Sequence, residues 1–208
     1  MVPSTSQANR HQPVVVAFII GLIYVIFIAA AMAQDRSAVL VYLRDPAAHF
    51  KFSPFAGVIS NFGVLVTVSA AAVCAFASAQ AKSDAPLLRA IALLTALVAL
   101  DDLFLLHEDT LPNRLGAPEY LAYVFYAAGA LFIGLRFRAQ LSNGPLLGLY
   151  LATGLLGSSI AIDAMTEFGN AQTVIEDGLK LVGLCVWSVY WILRAHAALA
   201  HPTPGAAP

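Results

Sequence analysis

Charge is scarce in this chain. Only 11% of its 208 residues are Asp, Glu, Lys or Arg, against 60% hydrophobic residues and a mean hydropathy of +0.78. Soluble domains carry roughly 25% charge, so the composition excludes an ordinary water-soluble fold and indicates an integral membrane protein. The net charge of -1 offers no basic surface, which excludes nucleic acid as a partner. Cysteine is nearly absent: Cys74 and Cys185 both sit inside apolar runs, so there is neither a disulfide framework nor a CxxC metal site. The motifs GxSxG and HExxH, the phosphate-binding loops and the paired ExxH of di-iron bundles are missing too.

What the chain does have is long apolar runs. Hydrocarbon forces a backbone to satisfy its own hydrogen bonds, so a spanning helix needs about 20 largely apolar residues. Six stretches meet or approach that length: 14–33, 55–79, 86–107, 120–137, 145–165 and 174–193. Short polar segments containing Pro or Gly separate several of them, such as QAKSDAP and LSNGP. The expectation is an all-α, polytopic bundle of six transmembrane helices forming one domain over residues 1–200, with a Pro/Ala-rich disordered tail at 201–208. The first run ends in small residues that resemble a signal-peptidase site, but its apolar stretch exceeds the 7 to 15 residues of a typical signal core. It reads as a retained helix.

Orientation follows from Lys and Arg. With the N-terminus in the cytoplasm, that side receives Arg10, Lys82, Arg89, Arg136, Arg138 and Arg194, and the other side Arg36, Arg44, Lys51 and Arg114. The bias predicts N-in and C-in, in a cell membrane of the bacterial inner-membrane type. The bilayer is then the first partner, and a homo-oligomer or a larger membrane complex fits the same composition.

The scarce charges are not scattered. The stretch LVALDDLFLLHEDTLP, from Leu97 to Pro112, places Asp101, Asp102, His107, Glu108 and Asp109 at the end of the third run. In a six-helix topology the same membrane side receives Glu119, Asp163, Glu167, Glu176, Asp177 and, inside the last run, Lys180. At 1.5 Å per residue, Asp101 and Asp102 lie about 8 to 9 Å deeper than His107, and Lys180 lies about 9 Å inside a helix beginning near Val174. A charge at the membrane centre costs roughly 2.5 to 3.5 kcal/mol on insertion scales, so such groups turn inward and are paired or used.

Helical spacing predicts an acidic face of Asp101, Asp102, Glu108 and Asp109 over two turns of one continuous helix. On the last helix, Thr173, Asp177, Lys180, Leu184, Trp187 and Trp191 form a stripe that turns aromatic toward the cytoplasm. Thr173 and Glu176 have capping-box spacing, which starts that helix near residue 174. Ser60 and Asn61 fall at the depth of the acids and are candidates to complete the pocket.

Carboxylates with an imidazole suit a divalent metal ion. One reading is therefore a metal-dependent membrane enzyme acting on a lipid or small apolar substrate. Asp102, His107, Glu108 and Asp163 would be ligands, Asp101, Glu176 and Asp177 acid/base groups, and Lys180 a stabiliser of negative charge. A rival class is a cation or proton transporter using the same carboxylates and Lys180; a third is a non-catalytic subunit of a membrane complex. Lys180 separates the readings, because an ammonium among ligands competes with a metal.

Overall fold

A computed structural model describes residues 12–34, 39–81, 83–142, 144–164 and 170–200. Glu167, Arg10, Arg36, Lys82 and the 201–208 tail lie outside the described residues. Within them the chain is helical and contains no strand. It divides into two compact units, Met1–Ala56 and Gly57–Pro208.

The first unit holds α1 (Gln12–Gln34) and two short helices, α2 (Val39–Leu43) and α3 (Pro46–Phe50). Its first helix is apolar on every side, with Phe18, Ile20, Ile23, Val25 and Ile26 all exposed; only a hydrocarbon surround suits such a surface. The ring of Phe27 meets that of Tyr42 edge-on at 5.5 Å. Asp45 starts α3 by accepting the Ala48 N–H at 3.1 Å, with Pro46 at the first helical position.

The second unit contains α4 (Val58–Gln80), α5 (Ala85–Phe104), a wide π-helical segment (Leu106–Arg114), α6 (Tyr120–Arg136), α7 (Arg138–Ser142), α8 (Leu146–Asp163) and α9 (Asn170–Ala200). Among the described residues four helices are long and apolar enough to cross a membrane, and α5 with the segment after it makes a fifth when the bent pair counts as one span. The protein is therefore a membrane protein of the helical class.

Within this unit α4 packs on α5 and on α9, and α8 on α9. Small residues allow the closest approaches: a Cβ on Gly183 would lie 2.9 Å from Leu156 side-chain atoms and 3.2 Å from the Leu156 backbone nitrogen. Toward the ends of α5 and α9 that carry Pro86 and Arg194, the core is largely apolar. Leu87, Leu88, Ile91, Cys74, Ala77 and Trp191 there are almost completely buried. Trp187 and Trp191 meet at 5.6 Å and Tyr190 meets Trp191 at 5.0 Å, both edge-on. The Trp187 indole N–H donates to Thr95 Oγ1 at 3.0 Å, tying α9 to α5.

Two expectations are corrected. The third apolar run is not one continuous helix: Leu105 takes a left-handed conformation (φ 49°, ψ 45°) and the chain bends by 65° into the π-helical segment. The acidic face over two turns therefore does not form. The last helix is already under way at Asn170, so Thr173 lies inside it and makes no capping box with Glu176.

Candidate intramembrane functional site

The bend after Phe104 builds the first half of the site. A left-handed Leu is costly, because its Cβ crowds the backbone. The compensation is visible two residues on. Asp101, on the last full turn of α5, accepts the backbone N–H of His107 at 2.9 Å on Oδ1 and the His107 Nδ1–H at 2.7 Å on Oδ2. One carboxylate thus holds both the main chain and the ring of a residue six positions ahead. Both side chains are buried, at 4% and 6% exposure. With Nδ1 committed to Asp101, Nε2 is the nitrogen left for chemistry; it lies 3.5 Å from Glu108 Oε1.

The second half comes from α9. Lys180 Nζ lies 2.7 Å from Asp102 Oδ1, with Asp102 almost fully buried and Lys180 29% exposed. The third part joins α6 to α8. The Tyr123 hydroxyl is 2.6 Å from Asp163 Oδ2 and 3.0 Å from Glu119 Oε1. A single hydroxyl hydrogen serves one acceptor at a time, and the shorter contact is to Asp163. The Ser159 hydroxyl donates to the Glu176 carbonyl at 3.1 Å, which fixes α8 against α9 at the same level.

These groups surround one cavity of about 120 Å³, whose polar lining comprises Asp101, Asp102, His107, Tyr123, Tyr126, Ser159, Asp163, Glu176 and Lys180. Asp101, Asp102 and His107 each offer a ligand atom within 4.8 Å of the others.

Of the residues singled out in the sequence, Asp101, Asp102, His107, Asp163, Glu176 and Lys180 meet here. Glu108 stays half-exposed beyond the ring of His107. Asp109 turns outward and accepts from Arg114 Nε at 3.0 Å and Asn113 at 3.2 Å. Asp177 is exposed and does not line the cavity; Glu176, one position earlier, takes the inward place four residues before Lys180. Ser60 and Asn61 are exposed on α4 and do not line the cavity. Ser159, four residues before Asp163, stands on the inward face of α8. Tyr123 and Tyr126 were not among the candidates; their three-residue spacing on one face of α6 was the available signal.

The family model described as a domain of unknown function, DUF8692, matches residues 15–193, and the chain belongs to that family. No curated protein and no solved structure matches it.

Proposed function

We propose that this DUF8692 member is a multi-pass enzyme of the cell membrane whose cavity performs acid–base chemistry on the polar end of a membrane-embedded substrate. Six spans with N-in and C-in accompany this reading. The bent α5 segment counts as one span, and α6 as another, its 17 residues rising about 26 Å. That arrangement puts the cavity toward the extracytoplasmic side.

The observation that carries the proposal is the double grip of Asp101 on His107. A carboxylate on Nδ1 fixes the tautomer and orientation that make Nε2 a general base, and it stabilises the imidazolium formed on proton uptake. Asp101 is then a positioning residue. His107 takes up the proton and gives it back, and Lys180 offsets negative charge developing on the substrate. The buried apolar cluster of Leu87, Leu88, Ile91 and Trp191 argues against a proton or cation path running on through the bundle.

The test is turnover. Purified protein incubated with fractionated membrane lipids, with products followed by mass spectrometry, is expected to convert at least one class. His107→Gln is expected to lower that rate by about 10² to 10⁴-fold. Conversion that His107→Gln leaves intact removes the acid–base reading, as does the absence of conversion across all fractions.

The proximity of Asp101, Asp102 and His107 supports a second reading, in which a divalent ion joins them. That ion would have to displace Lys180 from Asp102 and take His107 or Asp101 away from their mutual contact. On this reading the purified protein carries stoichiometric metal that Asp102→Ala removes. Metal content below one per chain, unchanged in that variant, sinks it.

A further inference from the structure

The polar cavity does not end in protein. Beside it lies a second cavity of about 290 Å³ with an almost wholly apolar wall, and Val98, Tyr126, Leu156, Ile160 and Leu184 line both. The larger cavity has a floor of α4, α5 and α9 residues, among them Thr67, Thr95 and Trp187, and is flanked by α6 and α8. These helices pack on α5 and α9 respectively, without extensive packing on each other among the described residues. Ala127 on one helix and Thr153, Gly157 and Ile160 on the other line it and are themselves exposed. The opening therefore faces the lipid, while the Tyr123–Asp163 hydrogen bond joins the two helices at the polar end.

Charge decides the head. Four carboxylates line the polar cavity, from Asp101, Asp102, Asp163 and Glu176, against Lys180 and His107. Lys180 is taken by Asp102, and His107 by Asp101. Asp163 has a tyrosine hydroxyl as its partner, and Glu176 forms no ion pair among the described residues. The surplus is negative, in a setting where an unmatched charge is costly. A phosphate or carboxylate head would add to it, whereas an ammonium head would complete it.

We infer that the substrate is a single-chain amphiphile with a cationic amine head, its ammonium between Asp163 and Glu176 and its chain in the apolar cavity between α6 and α8. The inference rests on the acid–base reading for the chemistry after binding, but not for binding itself.

Native mass spectrometry from detergent micelles, with decylamine, decanol, decanoate and ethylamine as probes, tests it. The wild-type chain is expected to prefer decylamine over the other three by at least about tenfold. Asp163→Asn with Glu176→Gln is expected to bring decylamine and decanol to parity. Where that pair fails to fold, Glu176→Gln alone on its part-exposed residue is expected to narrow the gap. Gly157 lines the apolar cavity and a Cβ on it meets nothing within 4 Å, so Gly157→Leu is expected to take up space there and to abolish decylamine binding.

Equal binding of the three long-chain probes overturns the inference, as does a preference that survives loss of the carboxylates. Ethylamine binding as tight as decylamine removes the chain site. Binding without any conversion defeats the acid–base reading alone, and conversion of other lipids without amine binding defeats this inference alone.

Discussion

Lys180→Met lowers the unfolding free energy of the protein in micelles by about 3 kcal/mol, the lower end of what breaking a buried pair costs. The reason lies less in the lost attraction than in what is left behind. Asp102 is almost fully buried and has Lys180 at 2.7 Å, so removing the ammonium leaves a carboxylate with neither water nor a cation. Lys180 is itself part-exposed, and solvent screening holds the effect to the lower figure. The companion measurement is Asp102→Leu with Lys180→Met, which removes both charges and is expected to return stability to near that of the wild type. Thermal or denaturant unfolding in one detergent reads both. A double variant as unstable as the single one would show that Lys180 does something other than neutralise Asp102. A stable double variant that has lost turnover would separate the folding role of the pair from its part in the site.

Trp191→Ala destabilises by a similar amount, about 3 kcal/mol, for a different physical reason. Trp191 is 1% exposed and meets both Trp187 and Tyr190 edge-on. In a water-soluble core, part of the cost of such a truncation is the return of apolar surface to water. Here the unfolded reference is hydrocarbon or detergent, so that part falls away and lost packing against neighbours remains. Unfolding in micelles checks the magnitude; a change under about 1 kcal/mol would mean that the neighbours collapse into the gap. The variant also tests the seal beneath the cavity. Proteoliposomes holding it are expected to remain proton-tight, since Leu87, Leu88 and Ile91 still fill the level.

How much of the architecture could be read from the sequence depends on which physical signal was involved. The apolar runs at 14–33, 55–79, 120–137 and 145–165 match α1, α4, α6 and α8 within about three residues, because span length is set by a bilayer thickness that composition reveals directly. The convergence of Asp101, Asp102, Asp163 and Lys180 followed from topology alone, since alternating helices return their ends to one side.

Rotation about a helix was harder. Ser60 and Asn61 have the right depth but the wrong face, and depth is all that counting residues provides. The inward stripe of α9 runs through Glu176 rather than Asp177: three- and four-residue spacings from Lys180 are both compatible with one face, and packing against α8 chooses between them. The break at Leu105 had no sequence mark, since a left-handed turn is usually announced by Gly or Asn. Here it is stabilised by the Asp101 clasp on His107, a contact visible only once the chain has already turned.

That clasp has a consequence for the order in which the protein is made. Asp101 and His107 are six positions apart, so their contact closes a very short loop and can form as soon as this hairpin has left the ribosome. Lys180 and Asp163 arrive only with the last two long helices. Until α9 packs in place, Asp102 is without its cation. Completion of the site and neutralisation of Asp102 are therefore the same event.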